Sequence, residues 1–354
     1  MKIYLTFFLL LFNLSLIAQE ISNKKIVQIQ KILENYVKKT NAPGLSVIIK
    51  KKDFTYKKGL GYADINSKLK STIYDSYKIA SVTKPMTAVA ILQLYEKGLI
   101  DLNDEIQKYV PQFPQKRYPV TIKDLLSHTS GVSHYKHDRE KHFKKHKNTE
   151  ESIDIFKDWK LVMEPGDKFS YTSYGYILLG ALIENVSNMS YGDYMEKYIW
   201  GLSEMDNTSL DNPEIRVTNQ VSEYSLSWFG NVKKAEKINI SSRFSAGGVR
   251  STVSDLLKFS ESLQSFKLLK PRMMKIMLTP VISMKGNHEY SLGWNTKPIL
   301  GRQVVFHSGG MPQTSAHLMI VPSENITIAL CSNLGRQILQ NMAFDILDIL
   351  LKDG

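Results

Sequence analysis

A serine and a lysine stand three residues apart where a long apolar helical pattern begins. Ser81 and Lys84 precede the run from Met86 to Tyr95, whose apolar side chains give a helix a buried side, and Gly98 ends the pattern. An inward amine at Lys84 could lower the proton affinity of the Ser81 hydroxyl or accept its proton. The helix N-terminus adds a positive field and free N–H groups that suit an oxyanion. Taken alone, Ser-x-x-Lys is common, and a serine at this place is usually an N-cap.

Two distant stretches carry side chains that could complete a site. Tyr171 and Ser173 come just before an apolar helical run, and His307 ends a short β-rich run. Three small residues follow the histidine: Ser308, Gly309 and Gly310. In isolation, Tyr171 is explained as a half-buried tyrosine at a helix start. His307 is explained equally well as a hydrogen-bonded histidine at a strand end, so only the combination points to chemistry.

Together and in this order, these motifs resemble the penicillin-recognising serine hydrolases. That family includes class C β-lactamases, D-alanyl-D-alanine carboxypeptidases and related esterases. The resemblance covers most of the chain after residue 18 and extends to three further stretches: 125–131, 245–252 and 292–294. Motifs of this kind become specific when several occur in the expected order.

The resemblance implies roles for the matching residues. Ser81 would be the nucleophile that becomes acylated, and Lys84 its hydrogen-bonded partner. Tyr171, whose phenolate form the ammonium of Lys84 would favour, would be the general base and then the acid toward the leaving group. The backbone N–H groups of Ser81 and Gly310 would form the oxyanion hole. The residues assigned to substrate binding are Ser173, His307, Ser308 and Gly309.

Two departures from the family pattern bear on the substrate. Ser173 replaces an asparagine and offers one hydroxyl in place of a paired donor and acceptor. His307 stands where many relatives have the lysine of Lys-Thr-Gly, and an unperturbed histidine is mostly neutral at neutral pH. Both changes remove features suited to β-lactams and to peptides that end in free D-Ala. We therefore expect an acyl-enzyme hydrolase acting on an ester, amide or peptide, with a cell-wall origin as one option.

Two other functions stay open at this point. The first is a D-alanyl-D-alanine carboxypeptidase or a weak β-lactamase. The second is a catalytically silent binding scaffold of the same fold, because a fold does not fix a function. Intact Ser81, Lys84 and Tyr171 argue against the scaffold, which has no need of all three.

The periodicity of both chain ends predicts an α+β fold of the β-lactamase type. Amphipathic helix patterns cover 21–39 and about 337–351. Strand-like runs cover 45–51, 54–62, 304–306, 316–321 and 326–332. The simplest assembly is one antiparallel sheet of N- and C-terminal strands flanked by the terminal helices, with a mostly helical region inserted. This predicts one hydrolase domain, 19–354, with an α/β part at about 21–64 and 286–354 and a helical part at about 65–285.

The first eighteen residues have the pattern of a secretory signal peptide. Lys2 is followed by an apolar stretch from Ile3 to Ala18, which is short for a membrane span. We expect cleavage after Ala18, export to the periplasm or the medium, and no transmembrane span in the mature chain; an uncleaved anchor is the alternative. The single cysteine, Cys331, lies in an apolar run and is expected to be a buried, unpaired residue.

The net charge of +12 raises the question of an anionic partner. The sequence shows no nucleic-acid-binding motif, so peripheral contact with the envelope is the alternative, and the expected partner is a small-molecule or peptide substrate. The basic, histidine-rich stretch 134–147 is predicted to be a solvated loop; if it borders the mouth of the site, it could also attract anionic substrates. Within it His142 and His146 have a metal-like spacing, but no carboxylate completes a ligand set. We expect neither a metal nor a cofactor.

Three further residues, named below, have no predicted catalytic role. His128 is predicted to lie in a turn at a helix end and to pack near the site. Arg250 follows Gly247 and Gly248 closely and either lines the cleft or makes a surface ion pair. Trp294 is predicted to lie in the core.

Overall fold

The computed structural model describes residues 22–135, 149–212, 214–215 and 217–352. The α-helices are α1 (Asn23–Thr40), α2 (Thr83–Glu96), α3 (Ile122–Leu126), α4 (Thr149–Ile153), α5 (Ser173–Ser187), α6 (Tyr191–Met195), α7 (Phe244–Gly247), α8 (Val253–Gln264), α9 (Pro271–Leu278) and α10 (Leu339–Leu351). The strands are β1 (Gly44–Lys51), β2 (Phe54–Asp64), β3 (Leu69–Lys70), β4 (Tyr77–Lys78), β5 (Ser209–Leu210), β6 (Tyr224–Leu226), β7 (Val232–Lys234), β8 (Val249–Ser251), β9 (Ile282–Ser283), β10 (Glu289–Tyr290), β11 (Asn295–Ile299), β12 (Arg302–Gly310), β13 (Ser315–Val321) and β14 (Ile326–Ser332).

Nine strands form one antiparallel sheet in the order β3-β2-β1-β14-β13-β12-β11-β10-β9. The N-terminal strand β1 pairs with the C-terminal strand β14, from Leu45 opposite Ser332 to Lys51 opposite Ile326. The two chain ends are therefore joined through the middle of the sheet. The α+β fold class predicted from the terminal patterns is confirmed.

Alternating side chains of the sheet serve two separate cores. Val47 and Ile49 of β1 join Phe306 in a cluster with the apolar faces of α1 and α10, the two terminal helices. Ile48, which lies between them in sequence, faces the larger core of the helical region. Because successive side chains point to opposite faces and both faces are buried, the strands of this sheet are nearly continuous apolar runs in the sequence.

Helix α2 lies inside the larger core. Every side chain from Thr83 to Leu94 is buried, whereas the sequence pattern indicated a helix with one buried side. The additional burial includes Lys84, which lies in the first turn together with Pro85. A proline at this point removes an N–H group that has no partner within the helix.

Several short strands interrupt the inserted region predicted to be mostly helical. Strands β4, β8 and β5 form a three-stranded sheet, β6 and β7 form a hairpin, and β9 joins the edge of the large sheet. Runs of two or three residues are too short to show a strand period in sequence. Trp294 and Cys331 are fully buried, as expected. In the part of the chain that the structure describes, no helix is long and apolar enough to cross a membrane.

Candidate active site

Ser81 lies on a tight turn that the neighbouring elements hold from two sides. The 3₁₀ turn Ala80–Val82 connects β4 to α2, and Ala80 adopts a left-handed backbone with φ of 49°. Gly309 of β12 approaches this turn so closely that a Cβ atom there would lie 2.1 Å from the carbonyl oxygen of Ile79. Gly247 of α7 contacts Ala80 from another element. The turn thus presents a partly exposed Ser81 from a fixed, strained backbone.

Lys84 lies directly behind Ser81 and is fully buried. Its Nζ atom is 3.2 Å from Ser81 Oγ and donates a 2.6 Å hydrogen bond to the carbonyl oxygen of Ala246. Burial, aided by the positive charge of Arg243, holds the pKa of the Lys84 amine well below its usual value. A neutral amine in this position has a lone pair that can accept the Ser81 proton.

Tyr171 contacts the same hydroxyl from the other side. Its Oη donates a 2.7 Å hydrogen bond to Ser81 Oγ. Burial raises the pKa of the Tyr171 phenol far above its usual value. Desolvation disfavours both the Lys84 ammonium and the Tyr171 phenolate, so these pKa shifts run opposite in direction to the expected pairing of the two charged forms.

Two histidines hold the backbone on either side of Tyr171. His128 accepts hydrogen bonds from Ser170 N at its carbonyl oxygen (2.8 Å) and from Thr172 N at Nδ1 (3.2 Å). Its ring centroid lies 4.3 Å from that of Tyr171. His134 Nδ1 accepts from the next amide, Ser173 N, at 3.2 Å. His128 is fully buried with φ of 59°, which confirms the predicted turn that packs near the site.

The end of β12 supplies the opposite wall. Met311 N donates to Thr314 O across the hairpin to β13. Because hydrogen-bonded and non-hydrogen-bonded pairs alternate in an antiparallel ladder, the next pair, Gly310 and Ser315, is non-hydrogen-bonded, and the Gly310 N–H faces away from β13. The pairing of β11 with β12 ends at Phe306, so this edge is uncovered by β11. The geometry suits the oxyanion role predicted for Gly310.

His307 is not a free substrate ligand in this arrangement. The side chain is buried, Nδ1–H donates to the Ser308 carbonyl oxygen at 2.9 Å, and Nε2 accepts from Tyr290 Oη at 3.1 Å. Burial is the main cause that lowers the pKa of His307 to about 3. The imidazole is therefore neutral, as expected from its type, but both nitrogens are engaged by the protein. The hydrogen bonds of the His307 side chain support the end of β12.

The other predicted substrate residues are placed differently. Ser173 Oγ lies 3.5 Å from Lys84 Nζ, a long contact that agrees with the weaker network expected when asparagine is replaced. Ser308 Oγ contacts His317 Nδ1 (2.9 Å) and Gln340 on the α10 side of the sheet. The structure does not bring the Ser308 hydroxyl to Ser81, because strand alternation turns it away. Gly309 has no side chain and so leaves room for the turn Ala80–Val82 that carries Ser81, called the nucleophile turn below.

Arg250 belongs to a buried ion network. It contacts Asp211 at 3.0 Å and Glu223 at 3.1 Å, and Lys78 contacts the same two carboxylates at 3.4 and 3.2 Å. Arg250 does make ion pairs, but the predicted surface location is wrong, because Arg250 is buried and its two carboxylate partners are half-buried.

Among the residues that the structure describes, no group of His, Cys, Asp and Glu could hold a metal ion. The predicted loop residues His142 and His146, and the predicted signal segment 1–18, lie outside the described residues.

Sequence reasoning missed several groups around Ser81. The Ala246 carbonyl oxygen is a backbone group that accepts the hydrogen bond of Lys84. The only sequence signal for it is the Ser-Ala-Gly-Gly run that contains Ala246. His134 begins the histidine-rich stretch predicted to be a solvated loop, and Tyr290 and Arg243 stand in stretches without a recognisable motif. These side chains reach the site through tertiary packing, which leaves no local signal.

Comparisons with known proteins show the family of the chain. The family model described as Beta-lactamase matches residues 29–349. Protein flp of Staphylococcus aureus is 30% identical over 329 residues, which cover 90% of this chain and 65% of that protein. The human mitochondrial serine beta-lactamase-like protein LACTB is 27% identical over 391 residues, covering 83% of this chain and 71% of that protein. The chain thus spans slightly less than two thirds of the length of protein flp.

Solved structures show the same fold. The octameric penicillin-binding protein homologue from Pyrococcus abyssi matches with a TM-score of 0.84 and 27% identity over 92% of this chain and 77% of that one. A D-amino acid amidase from Ochrobactrum anthropi matches with a TM-score of 0.82 at 22% identity, over 93% of this chain and 99% of that one. The chain belongs to the Beta-lactamase family, a family of serine hydrolases.

Proposed function

We propose that the protein is an exported serine hydrolase that works through an acyl-enzyme at Ser81. The observation that carries the proposal is the position of Ser81 Oγ, 2.7 Å from Tyr171 Oη and 3.2 Å from Lys84 Nζ. A partly exposed hydroxyl between a buried amine and a half-buried tyrosine is suited to proton transfer in both directions. A binding scaffold has no need of this arrangement.

The downward shift of the Lys84 pKa and the upward shift of the Tyr171 pKa favour Lys84 as the base of acylation. Ser81 Oγ attacks the substrate carbonyl while its proton passes to the neutral Lys84 amine, which the pKa depression keeps available. The developing oxyanion is bound by the N–H groups of Ser81 and Gly310. Tyr171, neutral and hydrogen-bonded to Oγ, is the acid beside the leaving group. In deacylation, water attacks the acyl group and the proton transfers run in reverse.

The substrate is an ester, amide or peptide, with a cell-wall fragment as one source. Efficient β-lactam hydrolysis is disfavoured, because His307 is neutral and internally bonded, and because Ser173 offers a single hydroxyl at 3.5 Å from Lys84. Export is part of the proposal and is supported by the apolar pattern of the first eighteen residues.

A turnover panel tests the proposal. Wild type and Ser81→Ala are compared on p-nitrophenyl acetate, a chromogenic cephalosporin and a peptide ending in D-Ala-D-Ala. We expect ester hydrolysis that depends on Ser81, with slow or undetectable turnover of the cephalosporin. Rapid, Ser81-dependent turnover of the cephalosporin contradicts the substrate assignment, and D-Ala release identifies a carboxypeptidase. Hydrolysis of none of the three favours the silent scaffold.

A further inference from the structure

The hairpin formed by β6 and β7 exposes two large aromatic side chains at its tip. Trp228 is 97% exposed and Phe229 is 88% exposed, whereas Trp200 and Trp294 are buried. Leu226, at the end of β6, is a third exposed apolar residue of the same hairpin. Single apolar side chains scattered over a surface are normal, but two adjacent aromatic rings left in water beside a leucine indicate a contact surface.

The tip of the hairpin is a closed, hydrogen-bonded turn. Ser227 N donates to Asn231 O at 2.7 Å, and Gly230 N donates to Ser227 O at 3.0 Å. Asn231 N also donates to Ser227 Oγ at 3.1 Å. The backbone of Trp228 and Phe229 lies between these bonds, so it cannot withdraw toward the protein without breaking them.

The base of the hairpin is fixed to the protein beside the active site. Gly335 N donates to Tyr224 O at 3.1 Å. Ile238, in the segment that follows β7, packs against a cluster that contains Ala80 of the nucleophile turn and Met311, the residue directly after β12. The exposed rings are therefore carried by a firmly attached element and not by a free chain end.

A second turn with exposed apolar side chains lies next to the hairpin. Ile65 and Leu69, between and within β2 and β3, are 41% and 59% exposed. Ile65 N donates a 2.9 Å hydrogen bond to Tyr224 Oη, which joins this turn to the hairpin. Lys68 and Lys70 of the same stretch are also exposed. Two neighbouring turns thus expose apolar and basic side chains together.

Basic side chains lie behind the aromatic tip. Lys233 and Lys234 of β7 are exposed, and the stretch 224–234 contains no acidic residue. The exposed Glu236 that follows is balanced by its neighbour Lys237. The hairpin therefore carries an excess of positive charge on a chain whose net charge is +12. An anionic surface complements this charge.

We propose that the β6–β7 hairpin inserts its aromatic tip into the interface of a membrane that contains anionic phospholipid. The two lysines lie two and three residues behind the turn, or about 7–10 Å at about 3.3 Å per residue. Interfacial segments bury their apolar side chains about 5–10 Å into the boundary between headgroups and acyl chains. Trp228 and Phe229 therefore reach this boundary when Lys233 and Lys234 reach the phosphates. The proposal does not depend on the acyl-enzyme function.

Partition onto phospholipid vesicles tests the proposal. Co-sedimentation measures the partition coefficient on vesicles of phosphatidylcholine alone and on vesicles with equal parts of phosphatidylcholine and phosphatidylglycerol. Wild type is compared with Trp228→Ser/Phe229→Ser, Lys233→Gln/Lys234→Gln and the control Leu300→Ser. Leu300 is 66% exposed in the turn before β12, and the nine residues of β12 place it about 30 Å from the end of the strand beside the hairpin.

We expect wild type to bind the vesicles that contain phosphatidylglycerol. Trp228→Ser/Phe229→Ser should bind about tenfold or more weakly, since burial of a large apolar side chain is worth about that factor. Each lysine replaced by glutamine should weaken binding to these vesicles about fivefold. Leu300→Ser should bind as wild type does. Intact mass checks that all proteins share one N-terminus, so that segment 1–18 contributes equally, and equal melting temperatures check the fold.

Trp228 also reports its own insertion. Phosphatidylcholine with brominated acyl chains should quench part of the tryptophan emission of wild type, and this part should be missing in Trp228→Ser/Phe229→Ser. The other three tryptophans cannot produce this signal, because Trp200 and Trp294 are buried and Trp159 is half-buried.

The proposal is overturned if wild type does not bind the vesicles, or if it binds no better than the aromatic variant. Binding without quenching of Trp228 also contradicts it, because the lysines alone would then hold the protein to the surface. Light scattering without vesicles identifies the competing occupant: a wild-type dimer that the aromatic variant disperses assigns the tip to a second copy of the chain. Labelling of Ser81 by a fluorophosphonate needs no vesicles, so failure of this proposal and failure of the acyl-enzyme function are distinguishable.

Discussion

Replacing Gly309 with alanine perturbs the nucleophile turn without changing any reacting side chain. The added Cβ would lie 2.1 Å from the carbonyl oxygen of Ile79, 3.1 Å from its carbon and 3.2 Å from Ala80 Cβ. The close neighbours are backbone atoms of the turn that presents Ser81, so a side-chain rotation cannot relieve the contact. Either the turn or the end of β12 must move.

The size of the displacement follows from the contact. A carbon and a carbonyl oxygen normally approach to about 3.3 Å, so the turn and strand must separate by about 1 Å. A misplacement of about 1 Å at reacting groups can reduce a rate by about 100-fold. Overpacking of this kind also costs about 1–3 kcal/mol of folding free energy. We expect Gly309→Ala to fold with a lower melting temperature and to label Ser81 about 100-fold more slowly.

Gly310→Ala is the matched control, because a Cβ at Gly310 would meet nothing within 4 Å. The assay measures the rate of fluorophosphonate labelling by intact mass and the melting temperature of both variants beside wild type. Gly310→Ala keeps the backbone N–H of the oxyanion hole and should keep the wild-type melting temperature, since its Cβ crowds no neighbouring atom. A Gly309→Ala protein that labels at the wild-type rate would show that the position of the turn against β12 does not control Ser81.

The remaining predictions concern one titration and one buried ion network. The acylation rate should rise with pH as Lys84 loses its proton. It should reach its plateau well below the usual lysine pKa, since burial depresses the pKa of Lys84. A rate that still rises at the usual lysine pKa would refute a neutral resting amine. Arg250→Met should destabilise the fold by about 3–5 kcal/mol in urea unfolding, because it leaves Lys78 alone with two buried carboxylates. Lys267→Met, at an exposed pair with Glu204, should change stability by less than about 1 kcal/mol.

Much of the fold was predictable because its strands are long and buried. The runs that became β1, β2, β12, β13 and β14 have enough apolar residues for strand assignment, and the terminal helices show a clear helical period. Strands β4 to β10 were not predictable, since each has two or three residues and depends on tertiary partners. Full burial of α2 was not predictable either, because a sequence shows which positions of a helix are apolar but not how many neighbouring elements pack against it.

The site was predictable where a residue acts through its type and not where it acts through its environment. Ser81, Lys84 and Tyr171 were found from motif order, and the structure brings their reacting atoms together. The direction of their pKa shifts was not predictable, since desolvation depends on burial that no motif reports. His307 and Ser308 were placed in the substrate site by analogy, but internal hydrogen bonds and strand alternation assign their side chains elsewhere.

The most direct test of the central claim is the mass of the intact protein after treatment with a fluorophosphonate. Wild type should gain one adduct, which peptide mapping places on Ser81, and Ser81→Ala should gain none. Lys84→Met should label far more slowly, because the nearest proton acceptor of the hydroxyl is lost. An adduct on another residue, equal labelling of Ser81→Ala, or no adduct on a folded wild-type protein would contradict Ser81 as an activated nucleophile.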